Sequence, residues 1–135
     1  MNAETKIHEG GCFCGAVRYA LTGPLTYSAH CHCRSCQRAI GADFATWAAV
    51  APKNFAVTSG EMTIYNSSPG VQRGFCSKCG TSLSYAGDDW TDYAILAATL
   101  DDPAFAKPTT NVYLSHQLPW VVLDDELRTY QQFPE

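Results

Sequence analysis

The chain has 135 residues, 46% apolar and only 16% charged, a balance that excludes a disordered tail and suits one folded domain over residues 1–135. A formal net charge of −4, with no cluster of Lys and Arg, excludes a nucleic-acid backbone as the main partner. The longest apolar runs, Phe44–Ala51 and Tyr93–Leu100, fall short of the roughly 18–20 residues that span a bilayer, and Met1–Gly11 lacks the apolar stretch of a secretory signal, so no membrane partner and a cytoplasmic location are expected.

In chain order, short segments rich in aromatic and β-branched residues alternate with Gly, Pro, Asn and Asp. Strands are predicted at Ile7–Cys12, Ala16–Leu21 and Leu25–Cys31, followed by a short helix at Arg34–Ala39. Further strands are predicted at Phe44–Val50, Phe55–Ser59, Thr63–Asn66, Val71–Cys76, Ser82–Tyr85, Tyr93–Ala98 and Thr110–Tyr113, with a helical turn at Asp124–Leu127. Turn signals at Thr22-Gly23-Pro24, Pro52-Lys53-Asn54, Ser68-Pro69-Gly70 and Gly87-Asp88-Asp89 separate them. The pattern predicts an all-β domain of small sheets, not a parallel α/β fold.

Seven cysteines stand as Cys12-x-Cys14, Cys31-x-Cys33-x-x-Cys36 and Cys76-x-x-Cys79. An odd number in a reducing compartment, with some pairs only two positions apart, argues against a disulfide framework. Metal ligation is the expectation; buried structural thiols and a redox pair are the alternatives. Four thiolates close a tetrahedral zinc, whereas three leave one vertex for water or substrate. Two short knuckles, one from each half of the chain and each ending in glycine (Gly15, Gly80), supply Cys12, Cys14, Cys76 and Cys79 as a closed structural site. Cys31, Cys33 and Cys36 remain, able to hold a second, reactive zinc from one loop. His30 and His32 alternate onto the opposite face of an extended stretch, so the fourth ligand of that site is expected from outside the chain. Two zinc ions per chain follow, and loading seven thiolates with them makes the charge more negative by roughly 3.

Three thiolates make zinc a weaker Lewis acid than three imidazoles do, and suit it to capturing another thiol as thiolate. The chemistry expected is addition of a bound thiol to a small electrophile, or its reversal.

The blocks Gly11-Cys12-Phe13-Cys14-Gly15-Ala16-Val17-Arg18-Tyr19, Cys31-His32-Cys33-Arg34-Ser35-Cys36-Gln37 and Phe75-Cys76-Ser77-Lys78-Cys79-Gly80-Thr81 resemble the three motif blocks of the glutathione-dependent formaldehyde-activating enzyme (GFA/CENP-V) family. Leu100-Asp101-Asp102-Pro103, Asn111-Val112-Tyr113 and Leu118-Pro119-Trp120 fit as well, so the resemblance covers nearly the whole chain. It implies an Mss4-like β fold of small antiparallel sheets, a structural zinc on Cys12, Cys14, Cys76 and Cys79, and a catalytic zinc on Cys31, Cys33 and Cys36. It also implies a carbon–sulfur lyase activity that forms S-hydroxymethylglutathione from glutathione and formaldehyde. The glutathione-handling members are longer than this chain, which leaves the thiol and the aldehyde open.

Several residues near the open cluster are candidates for substrate handling. Arg34 and Arg38 could hold carboxylates of a peptide thiol, or stand as solvated charges on a short helix. Gln37 could bond substrate or cap the loop, and His116 could serve as general acid or base or be a surface histidine. Trp47 and Trp120 could wall the pocket or belong to the core. Asp101-Asp102 and Asp124-Asp125-Glu126 are read as caps or a solvated face. The leading expectation is an enzyme joining a small-molecule thiol to an aldehyde, and the alternative is a non-catalytic, zinc-stabilised thiol- or protein-binding module. The sequence leaves the oligomeric state open.

Overall fold

The computed structural model describes residues 6–123 and 127–133, and every predicted strand appears among them. In chain order the elements are β1 (His8–Gly11), β2 (Arg18–Leu21), β3 (Tyr27–Cys31), α1 (Arg34–Ile40), β4 (Ala45–Val50), β5 (Phe55–Ser59), β6 (Thr63–Ser68), β7 (Val71–Phe75), β8 (Ser82–Gly87), β9 (Tyr93–Leu96), β10 (Thr110–Val112) and β11 (Arg128–Thr129). Short 3₁₀ turns lie at Pro52–Asn54, Ala97–Thr99, Pro103–Ala106 and Leu114–His116.

The strands form two sheets. One is three-stranded and antiparallel, in the order β1-β2-β5, and the other runs β11-β10-β3-β4-β9-β8-β7-β6. The larger sheet is mixed at one end, because β10 pairs in parallel with both β3 and β11. The architecture is all-β with one short α-helix and two cysteine clusters among the described residues, consistent with an Mss4-like fold.

Strand β4 explains where the core sits. Five of its six residues, all but Thr46, are apolar because both faces are covered. Ala45, Trp47 and Ala49 point to one cluster with Ala29, Cys31, Cys36, Ala94 and Val112. Ala48 and Val50 point to the other, with Val17, Tyr19, Leu21, Leu83, Ile95 and Leu100. The second cluster fills the space between the two sheets. The first backs the cysteine trio, so the same strand carries the core and the site.

Boundaries differ where local chemistry intervenes. Strand β10 ends at Val112 because Tyr113 takes the left-handed conformation, φ 56. Strand β9 ends at Leu96, where the chain winds into a 3₁₀ turn closed by the Leu100 N–H on the Ala97 carbonyl. The helical turn predicted at Asp124–Leu127 lies mostly outside the described residues; Leu127 itself sits in a bend leading into β11, which the sequence pattern does not reveal. Strand β6, at the far edge of the large sheet, is exposed at all six positions. Among the described residues no helix is long and apolar enough to cross a membrane.

Candidate metal centres

The two knuckles are built alike. In the β1–β2 turn, the Cys12 N–H donates to the Val17 carbonyl and the Gly15 N–H to the Cys12 carbonyl, at 3.0 and 3.1 Å. In the β7–β8 turn, the Cys76 N–H donates to the Thr81 carbonyl and the Gly80 N–H to the Cys76 carbonyl, at 3.0 and 2.7 Å. Gly15 and Gly80 take φ of 81° and 80°, a region that side chains resist, and so let each loop fold back over its sulfurs. The Thr81 hydroxyl links the knuckles by accepting the Phe13 N–H at 3.1 Å and lying 3.2 Å from the Cys79 sulfur. That hydroxyl and the Thr81 backbone hold the Cys79 thiol down to about 5.

The sulfurs of Cys12, Cys14, Cys76 and Cys79 all lie within 4.8 Å of one another. Cys12–Cys14 and Cys14–Cys76 are 3.7 and 3.8 Å apart. A tetrahedron with metal–sulfur bonds near 2.3 Å has edges of about 3.8 Å, so this donor set fits a tetrahedral soft cation such as zinc. The Val17 N–H donates to the Cys12 sulfur at 3.2 Å, which further favours a thiolate there.

The second group arises where β3 runs into α1. Cys33 is the N-cap of the helix, and its sulfur accepts the Cys36 N–H at 3.3 Å. The sulfurs of Cys31, Cys33 and Cys36 converge within 4.8 Å, with Cys31 and Cys36 buried and Cys33 half-buried. Hydrogen bonds from Cys31 and Cys33 hold Cys36 down to about 2, aided by the Trp47 indole and the field of Arg73 and opposed by burial. Cys31 is correspondingly pushed well above the ordinary thiol range by its bonds to Cys33 and Cys36.

Neither histidine joins the trio. His32 is fully buried on the other face, with Nε2 3.0 Å from Asn111 Oδ1 and its ring 5.0 Å from that of Phe44. His30 places Nδ1 2.8 Å from the Thr46 hydroxyl. Among the described residues the group therefore holds three donors, which fits a metal that keeps one vertex for an outside ligand.

The trio opens into a cavity of about 1310 Å³. Trp47, 5% exposed, and the exposed Arg38 both line it. Gln37 is buried and works within the protein: its Nε2 donates to the carbonyls of His32 and His116 at 2.8 and 3.1 Å, and its Oε1 accepts from Arg34. That bridge ties the cysteine loop to the Leu114–His116 turn. The side chains of Arg34, His116 and Trp120 are exposed, and none of the three lines the cavity. Asp101 pairs with Arg18, and Asp124, Asp125 and Glu126 lie outside the described residues.

Among the lining residues that sequence reasoning missed are Arg73, Tyr85, Trp90 and Tyr113. For Arg73 a signal existed. It shares strand parity with Val71 and Phe75, so a charge stands on an otherwise apolar face of β7. For Tyr113 the signal was its place in the Asn111-Val112-Tyr113 segment of the resemblance, beside Val112, which pairs with Cys31. Burial, together with the charge of the three cysteines, raises the Tyr113 hydroxyl and keeps it protonated.

Comparison with known proteins agrees with this geometry. Residues 7–116 match the family described as glutathione-dependent formaldehyde-activating enzyme. A relative from Halomonas elongata, named "Putative glutathione-dependent formaldehyde-activating enzyme", is 29% identical over 94% of this chain and 88% of its own length. The crystal structure of a Rhodobacter sphaeroides protein shares the fold, with a TM-score of 0.62 at 23% identity over 77% of this chain and 99% of that one. With its two cysteine groups in place and most of its length matched, the chain belongs to the glutathione-dependent formaldehyde-activating enzyme family.

Proposed function

We propose that the protein is a zinc-dependent enzyme of the carbon–sulfur lyase type, joining a small glutathione-like thiol to formaldehyde or another small aldehyde, or running the reverse. The observation that carries this reading is the trio of converging cysteine sulfurs, open to a cavity and without a fourth protein donor among the described residues. The names of the family and of the Halomonas elongata relative support it. Cys12, Cys14, Cys76 and Cys79 would hold a structural zinc, and Cys31, Cys33 and Cys36 a reactive one. A zinc ion on the trio supplies a soft cation that keeps an incoming thiol as its thiolate at neutral pH.

The chain's own residues supply the rest. Trp47 and Tyr85 give the cavity apolar walls that exclude water from the reacting atoms. The substrate sulfur forms its bond to the carbonyl carbon while the C=O π pair moves onto oxygen, and that oxygen takes a proton to give the S-hydroxyalkyl product. Tyr113, held protonated, offers an O–H donor to the oxygen as charge gathers there. Gln37 and Arg34 hold the cysteine loop in place, and Arg38 meets substrate at the cavity wall. His116, which does not line the cavity, is given no part in proton transfer in this reading.

Exchange of formaldehyde with its glutathione adduct, followed by NMR, tests the proposal. The zinc-loaded wild type is expected to accelerate exchange and Cys33→Ser to leave it at the buffer rate. Wild type at the buffer rate sinks the lyase assignment and leaves a thiol- or protein-binding module.

A further inference from the structure

Two buried donors in the cavity lack an acceptor. Arg73 Nη1 and Trp90 Nε1 are each shielded from solvent without a hydrogen-bond partner among the described residues, and both residues line the same cavity as the trio. Among the described residues Arg73 makes no ion pair; its guanidinium carbon lies 4.9 Å from the centre of the Tyr85 ring, a contact that offsets only part of the cost of shielding a cation from water. Among the described residues none that lines the cavity is Asp or Glu, whereas Arg38 and Arg73 are both present. Trp90 packs edge-on against Tyr27 and Phe133, with ring centres 5.7 and 4.9 Å away, which favours the orientation that leaves its N–H without a partner. Unsatisfied buried donors are rare in folded proteins, and two in one cavity call for an acceptor that arrives with a ligand.

We propose that Arg73 is the anion anchor of this cavity: its guanidinium receives a carboxylate of the incoming thiol, with the Trp90 indole N–H as a second donor to the same ligand. The substrate is then a carboxylate-bearing thiol rather than a neutral one. This rests on the reading of the trio as a thiol-capturing centre. A guanidinium fork matches a carboxylate in two parallel bonds, whereas a lysine offers only a point charge. Arg73 is a binding residue that sets selectivity. The metal stays with the cysteines.

The test uses the full chain loaded with cobalt and reads the sulfur-to-cobalt charge-transfer bands during titration. 3-Mercaptopropionate is compared with its methyl ester, which keeps the sulfur and removes the charge. One charge-assisted bond in a shielded site corresponds to about a ten- to hundred-fold preference for the acid. Arg73→Gln is expected to bring the acid-to-ester ratio close to one, and Arg73→Lys to restore part of it. Equal binding of acid and ester by wild type overturns the proposal, as does an undiminished preference in Arg73→Gln. The wild-type comparison decides even if the glutamine variant does not fold. Should neither thiol move the bands, the thiol-capture reading fails on its own. S-methylglutathione, which has no free thiol, then decides the anchor through quenching of tryptophan fluorescence. Binding that weakens at least tenfold in Arg73→Gln upholds the anchor, and unchanged or absent binding overturns it.

Discussion

Replacing Cys76 by serine removes one of the four sulfurs that join the β1–β2 turn to the β7–β8 turn. Cys14 and Cys76 stand 62 positions apart, so a metal bridge between them closes a long ring. Loop-closure entropy for a cross-link of that span amounts to about 4 kcal/mol at 25 °C. In the trio no two sulfurs are more than five positions apart, for which the same relation gives about 2 kcal/mol, and β3 and α1 already order that segment. Serine at position 33 also keeps an N-cap acceptor for the Cys36 N–H, since a hydroxyl serves there at least as well as a thiol. Cys76→Ser is therefore expected to lose up to about 4 kcal/mol, the full value if Cys79 alone no longer holds the metal across the two turns, a large share of the 5–15 kcal/mol that holds an ordinary domain. Cys33→Ser should lose about 2 kcal/mol or less, remain folded and carry one metal fewer. Urea unfolding followed by circular dichroism, with metal counted in each sample, measures both. Equal midpoint shifts in the two variants, or loss of both metals from Cys33→Ser, would refute the division into a staple and a reactive centre.

Gln37→Ala strips a buried amide from the His32 and His116 carbonyls and is expected to cost about 2–3 kcal/mol in urea unfolding; a loss under 0.5 kcal/mol would remove Gln37 as the tie between the two turns. His116→Ala should leave formaldehyde–glutathione exchange within about twofold of wild type, because its side chain does not line the cavity; a far larger drop would return the histidine to the mechanism. Gly80→Ala forces a side chain into φ 80 and should cost about 1–3 kcal/mol with weakened retention of the structural metal, both absent if the backbone there is relaxed. The Arg18 guanidinium holds the Asp101 carboxyl below 3.8, so the pair stabilises the folded state above that pH and ceases to as pH falls through the depressed value. Asp101→Asn should accordingly lower the melting temperature at pH 7, with the gap to wild type narrowing below pH 3.8. A gap that stays constant over the titration would mean that the ion pair is not its cause.

What the sequence made legible follows from how locally each feature is determined. The cysteine spacings fix which sulfurs can converge, because a knuckle is closed by bonds within a few residues of itself. Phe55–Ser59 and Val71 onward read as strands from their own residues and their flanking turns. The run from Phe44 to Val50 reads as a strand from its own mostly apolar residues, and in the fold it is central, with both faces covered. Strand β11 was illegible, because two exposed residues owe their pairing to β10, which is eighteen positions earlier at Thr110↔Arg128. Trp90 and Tyr85 were invisible as cavity walls for a similar reason: they reach the trio through sheet order, which brings β8 near β4 across β9. Trp120 was legible only as a large aromatic, and its 65% exposure depends on tertiary packing that no local pattern encodes.

The β6–β7 ribbon bounds the cavity with Tyr65, Ser67, Ser68 and Val71, yet β6 itself is exposed along its whole length. Reactivity and admission are thereby entrusted to different stretches of polypeptide. Descendants of this chain can resculpt the doorway by exchanging or inserting residues around Pro69-Gly70, where doubling a loop costs only about 0.6 kcal/mol, without disturbing a single sulfur. A scaffold so divided can keep one chemistry while its clientele diversifies.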